Sequence, residues 1–340
     1  MQASDLAQER VPARVGGLDD YSLEFDAALI EEAVLLRSEV APAEERRRFR
    51  RDRDPLYELD DPEARERRFR DLHLGWFRSW RLSDPILQAL NERATVVLWT
   101  SRCLVAPAAS AKEEYADLRE DRLASSREAG TRNALVLQLR PSTLADPTRL
   151  LALVRRELFY VVDLIDPEFA FDGGPPLGKG SPAAADLMRQ RYRALWDTTV
   201  DGRMAAAGWI PAGGEERSRT RFGAAFPMLQ AGTERAFERF FHGSRPSHPD
   251  LLAFAADPAA AAGSPSRSAG PCPLCRMPAP AFHPDPESLG PALLAALQSD
   301  FPAWRPAAGL CPRCAELYAS RAQPPTRHSS DGPPPPRLGR

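Results

Sequence analysis

Two C-x-x-C pairs constrain this chain more than any other feature. Cys272-Pro-Leu-Cys275 and Cys311-Pro-Arg-Cys314 lie 35 residues apart and hold four of the five cysteines. A two-residue spacer lets both sulfurs of a pair turn toward one ion, and two pairs complete a tetrahedral thiolate shell. Such a shell suits Zn2+ and leaves no open coordination position, which makes the expected site structural rather than catalytic. The gap exceeds the ~15–20 residues of a compact zinc ribbon, and a helix over Pro291–Gln298 would account for the extra length. The stretch 271–321 has few large apolar residues, so its folding is expected to be linked to the metal.

The second pair reads as the start of a helix, with Pro312 in the first turn and Ala315, Leu317 and Tyr318 continuing it. Unpaired N–H groups at a helix N-terminus favour thiolates. On these residues the segment resembles a treble-clef or zinc-ribbon module. Other chemistry stays open at this point. Four thiolates also hold iron–sulfur clusters. Two disulfides or a redox pair would use the same residues, but a redox centre needs one C-x-x-C, and disulfides belong to secreted proteins. His283 lies between the pairs and could replace one ligand, although a surface histidine is the simpler reading. Cys103 falls in an apolar stretch and reads as a small buried hydrophobe.

The 340 residues taken together are 43% hydrophobic, enough for a real core, with a formal net charge of −2. That balance argues against a chain-wide surface for polyanions. Apolar runs such as Ala94–Trp99 and Leu158–Val162 fall far short of the ~18 residues a membrane span needs. The first 20 residues carry Asp5, Glu9, Arg10 and Arg14 without an apolar stretch, so the expectation is no secretory signal and a cytoplasmic location. Only Lys112 and Lys179 are lysines, and 34 residues are proline. The arginine excess fits GC-rich coding and carries no functional reading.

Residues 1–20 read as a flexible start, 21–256 as one mainly helical α+β domain, 257–270 as an Ala/Gly/Ser/Pro linker, 271–321 as the cysteine module and 322–340 as a disordered tail. Within the domain, helices are expected over Tyr21–Val40, Leu72–Leu90, Ala111–Arg122, Ala183–Gly208, Gly223–His242 and His248–Ala256. Strands are expected at Ala94–Leu104 and Asn133–Leu139. Segment 41–70 carries ten arginines and nine acids, which reads as a solvated, salt-bridged helical pair broken at Pro55 and Pro62. Asp146 and Pro147 open a helix that ends near Ile165, before Asp166-Pro167. The Gly/Pro loop Phe171–Ser181 has the wrong glycine spacing for a phosphate loop. His242 and His248 read as a helix C-terminal and a turn histidine.

Within the helix that Asp146 opens, Arg156-Glu157-Leu158-Phe159-Tyr160 has the frame of H-E-x-x-H with both histidines replaced. An Asp163-x-x-Asp166-Pro-x-Phe169 tail follows. The segment resembles the active-site helix of zincin metallopeptidases, which lies after an edge strand and uses its Glu as the base. That resemblance implies a zincin-like main domain, with Arg156 and Tyr160 at ligand positions, Glu157 at the base position, and Asp197 or Asp201 as third-ligand candidate. Arginine cannot ligate a cation. It could instead pair with Glu157, Asp163 or Asp197 and stand in for the ion's charge. Val154, Leu158, Val161 and Ile165 also form an apolar stripe, which fits an ordinary core helix.

The reading from sequence is a non-catalytic, pseudo-enzyme-like interaction or scaffold protein with structural Zn2+ on Cys272, Cys275, Cys311 and Cys314, a protein partner and no membrane. The alternative is a metal-dependent, peptidase-like hydrolase with an atypical site around Glu157, Tyr160, Asp163, Asp197 and Asp201. A further alternative is nucleic-acid binding through the cysteine module. It is not favoured, because residues 265–340 hold only eight arginines against five acids.

Overall fold

Asp26 closes a strand and opens a helix. Ser22–Asp26 (β2) buries Leu23 and Phe25, and the Asp26 carboxylate then accepts the Leu29 N–H at 3.0 Å, capping Ala27–Val40 (α1). The helix expected from Tyr21 therefore starts six residues later. Leu23 and Phe25 suit either period, and pairing with a neighbouring strand decides for β. The computed structural model describes residues 8–12, 21–121, 133–173, 182–258, 271–277, 279, 282–283 and 286–322. Most of the expected linker, the tail and the glycine-rich part of the Phe171–Ser181 loop lie outside the described residues.

The chain divides into two compact units, Met1–Phe226 with Thr233–Ala256, and Pro227–Gly232 with Asp257–Arg340. The first is mainly helical around one mixed sheet, an α+β arrangement. Its helices begin with α1, Ala43–Arg53 (α2), Pro62–Ser79 (α3), Asp84–Asn91 (α4) and Ala94–Trp99 (α5). The other strands are Gln8–Pro12 (β1), Thr100–Pro107 (β3), Tyr115–Glu120 (β4) and Asn133–Leu139 (β5). The sheet order is β1-β2-β3-β5-β4. β2, β3 and β5 run parallel, and an antiparallel strand closes each edge. Helix Pro141–Leu144 (α6) leads to Pro147–Ile165 (α7). Asp146 caps α7 by accepting the Thr148 and Arg149 N–H groups at 3.1 Å each, with Pro147 at the first position.

Five further sequence expectations need correction. Gln8–Pro12 pairs with β2, so the flexible start is in part an edge strand. Ala94–Trp99 is helical, and the strand begins only at Thr100. Val96 and Val97 are buried while Leu98 and Trp99 are exposed, a split that a six-residue apolar run does not reveal. Tyr115–Glu120 is a strand rather than part of a helix. It pairs residue by residue with β5, and an edge strand tolerates the charges that made it read as a polar helix. Leu72–Leu90 is split between α3 and α4, and 223–242 is interrupted by a 3-10 turn, Pro227–Gly232, because proline cannot continue the helix.

Pro182–Ala206 (α8) is the axis for Gly214–Ala225 (α9), Thr233–Phe241 (α10) and His248–Ala256 (α11), all three of which pack against it. Gly202 permits the closest of these approaches. A Cβ there would lie 1.9 Å from the Phe241 carbonyl oxygen, so α8 and α10 meet backbone to backbone. His242 follows α10 within reach of Glu215 and Glu238. His248 is buried at the head of α11 rather than in a turn, bonded to the Tyr192 hydroxyl and Asp172.

In the second unit, Pro291–Asp300 (α12) and Pro312–Ala322 (α13) pack together around Leu293, Leu297, Trp304, Leu310 and Tyr318. The Trp304 indole donates to the Gly309 carbonyl at 2.9 Å, and the Tyr318 hydroxyl to Asp300 at 2.6 Å. Gly309 has φ +73°, and a Cβ there would strike the Phe282 ring at 2.3 Å. This is a small core, as the composition of the stretch predicts.

Candidate functional site

The loop after the first cysteine turns back on itself. Arg276 adopts φ +58°, its N–H bonds the Cys272 carbonyl at 2.7 Å, and the Cys272 N–H bonds the Met277 carbonyl. The second pair sits at the head of α13, with Pro312 as its first residue. These two turns gather all four sulfurs of Cys272, Cys275, Cys311 and Cys314 within 4.8 Å of one another. Cys272 and Cys314 are 4.0 Å apart at sulfur, and Cys275 and Cys311 are 3.8 Å apart. A tetrahedron with ~2.3 Å metal–sulfur bonds has edges of about 3.8 Å, so the cluster is positioned to bind one metal ion. A multi-iron cluster would spread the thiolates further, and a disulfide needs sulfurs at ~2.05 Å. All four thiols are free. Burial pushes the Cys272 thiol up, but the N–H groups of Cys275, Cys311 and Leu274 more than offset it, bringing it down to about 7. His283 lies outside the cluster. Cys103 is fully buried in β3, where burial pushes its thiol up.

The Arg156 helix carries the other candidate residues. Val154, Leu158 and Val161 face the core, with Ile165 packed at its margin. Arg156, Glu157, Tyr160 and Asp163 therefore stand toward β4 and α8. The Arg156 guanidinium pairs with Asp201 and lies 3.2 Å from the Tyr160 hydroxyl. Tyr160 in turn donates to Asp197 at 2.6 Å, and Arg193 completes that link at 2.8 Å. Asp201 also accepts Arg221. The expected partners of Arg156 were Glu157, Asp163 or Asp197. The crossing of α7 and α8 gives it Asp201 instead. Burial opposes its charge, but Tyr160, Asp201 and Asp197 outweigh that and raise its pKa further.

Glu157 accepts the Ala116 N–H of β4 at 3.2 Å. The strand beside the helix is thus the antiparallel edge strand β4, while β5, the strand that directly precedes α6 and α7, is internal. Burial raises the Glu157 carboxyl above the ordinary range, opposed by that N–H and by Arg193 and Arg156. Burial and Asp197 also raise the Tyr160 hydroxyl. Asp163 belongs to a separate knot. It receives both terminal nitrogens of Arg203 at 2.7 and 2.6 Å, Arg245 at 2.6 Å and the Trp196 indole at 2.6 Å. The roles of Arg193, Arg203, Arg221 and Arg245 had no signal in the sequence beyond the i, i+4 spacing of Arg193 and Asp197.

The raised Glu157 carboxyl sets a pH dependence. The folded chain holds that proton more tightly than the unfolded chain, so stability falls as pH rises from the ordinary glutamate value, ~4.3, through the raised one. Glu157→Gln keeps an acceptor for Ala116 and removes the buried charge. It is expected to stabilise the protein near neutral pH by about 1 kcal/mol, with no gain below ~4.3, as read by urea midpoints across pH. A gain independent of pH would contradict a buried carboxylate as its source.

No protein-family model, curated protein or solved structure matches this chain.

Proposed function

We propose that this is a non-catalytic interaction protein, with a main domain that keeps a zincin-like metallopeptidase frame but holds arginine where an ion would sit, and a treble-clef-like module folded around structural zinc. The observation that carries the reading is the Arg156 guanidinium between Asp201 and Tyr160. A fixed positive charge there satisfies the carboxylates a cation would need, and arginine itself offers no lone pair to a metal. The antiparallel edge strand against Glu157 supports the zincin-like part, since that family places its helix beside such an edge. The near-tetrahedral sulfur spacing supports zinc, which four cysteines would hold without an open position. Exposed Leu98 and Trp99, side by side, supply apolar surface of the kind a protein partner covers. No helix among the described residues is long and apolar enough to cross a membrane.

Metal counting tests this against the hydrolase alternative. Full-length protein is expected to carry one zinc per chain by elemental analysis, kept in Glu157→Ala and Asp197→Ala and lost in Cys272→Ser. A second ion that survives Cys272→Ser and disappears in Asp197→Ala would favour the hydrolase.

A further inference from the structure

We propose that the cavity between α8 and α9 binds a small molecule through an oxyanion group, a phosphate or a carboxylate. Arg189 and Arg193 stand one turn apart on α8, and Ser218 and Arg221 one turn apart on α9. All four line a cavity of about 390 Å³ in which Asp197 is the only carboxylate among the described lining residues. Three guanidinium groups therefore meet one acid across a small space.

Each arginine already has a carboxylate partner, but each contact uses one nitrogen. Arg193 gives Nε to Asp197, Arg221 gives a terminal nitrogen to Asp201, and Arg189 gives one to Asp186. A guanidinium has five N–H donors, so the three forks keep unspent donors after these pairs. The acids then position the forks, much as second partners orient ligating histidines.

Ser218 is the independent sign of a ligand. The residue is 1% exposed, and its hydroxyl oxygen is buried with no hydrogen-bond partner. Buried hydroxyls are normally paired, so an acceptor belongs beside this one. A hydroxyl donor among guanidinium forks matches an oxyanion, which offers several acceptors in one plane or tetrahedron. A second cavity of about 690 Å³ shares Arg221 and adds Ile210 and Pro211, giving an apolar wall for the rest of the molecule. Both volumes fall in the ~300–1,000 Å³ range of small-molecule sites. This site goes beyond the proposed function and does not depend on Arg156 having displaced a metal.

The test titrates the full-length, zinc-loaded protein with inorganic phosphate and, separately, with succinate at constant ionic strength, following backbone amide shifts. Saturable shifts at 189–198 and 218–221 are expected with one of the two. Phosphate alone identifies a phosphate head, and succinate alone a carboxylate head. Arg193→Ala, at a largely exposed position, is expected to weaken binding about tenfold, and Ser218→Ala to weaken it several-fold without loss of thermal stability. No saturable shift with either anion would overturn the proposal. So would binding that survives Arg193→Ala but is lost in Asp197→Ala, because the anion would then sit on a bound ion.

Discussion

On the zinc site proposed above, stripping the metal with a chelator, or replacing Cys311 with serine, is expected to unfold the 271–322 module outright. Its fully or nearly buried large side chains are Leu293, Leu297, Trp304, Leu310 and Tyr318, with Phe282, Leu294 and Phe301 only partly covered around them, and two of its flanking turns are built by the cysteine pairs themselves. Binding energy at four-ligand zinc sites is about 10–16 kcal/mol, and where the apo segment has no adequate core that energy is folding energy. The Trp304 indole reports the change directly, since it is buried and bonded to Gly309. Its proton resonance is expected to move to the random-coil position on metal removal, while the cooperative unfolding of the first unit persists. An unchanged Trp304 resonance in metal-free protein would show a core sufficient without the ion.

The second large effect is expected at Asp163. Its side chain is 1% exposed and receives Arg203 through two nitrogens, Arg245 and the Trp196 indole. Asp163→Ala would strand the Arg203 guanidinium, 20% exposed, and an indole N–H beside a small void, while Arg245 keeps its pair with Asp166. Breaking such a buried pair by removing one partner costs about 3–5 kcal/mol. Urea denaturation of the variant should show that loss with little change in slope. Asp163→Asn should recover part of it, because the amide oxygen still accepts while the charge is gone. A loss under 1 kcal/mol, roughly the worth of an exposed ion pair, would mean that solvent screens the knot.

Local signals were legible where one residue type enforces one geometry. Asp146-Pro147 announced α7, the C-x-x-C pairs announced the sulfur cluster, and Asn133–Leu139 announced β5. Short apolar or charged runs were not legible, because 94–99 and 115–120 take their form from what they pack against. The candidate site shows the same division. Asp197 and Asp201 share a helical face by spacing alone, but the choice of Asp201 for Arg156 rests on how α7 crosses α8. Ser218 has no sequence signal at all, since a lone serine among arginines on a helix reads as solvent-facing until α8 covers it.

The parallel trio at the centre of the sheet has a consequence for how the chain folds. Glu24 of β2 meets Arg102 of β3 across 78 positions, and β5 joins only after β4 has been made. Helices α1 to α5 therefore leave the ribosome before the sheet they cover can close. Their apolar faces, with Phe49, Trp76 and Phe77 among them, must wait for β3 and β5. Closing such distant pairings is slow, because loop entropy is lost before contacts repay it. The nascent chain thus spends its most aggregation-prone interval with the apolar faces of α1 to α5 exposed, and chaperone demand should peak there.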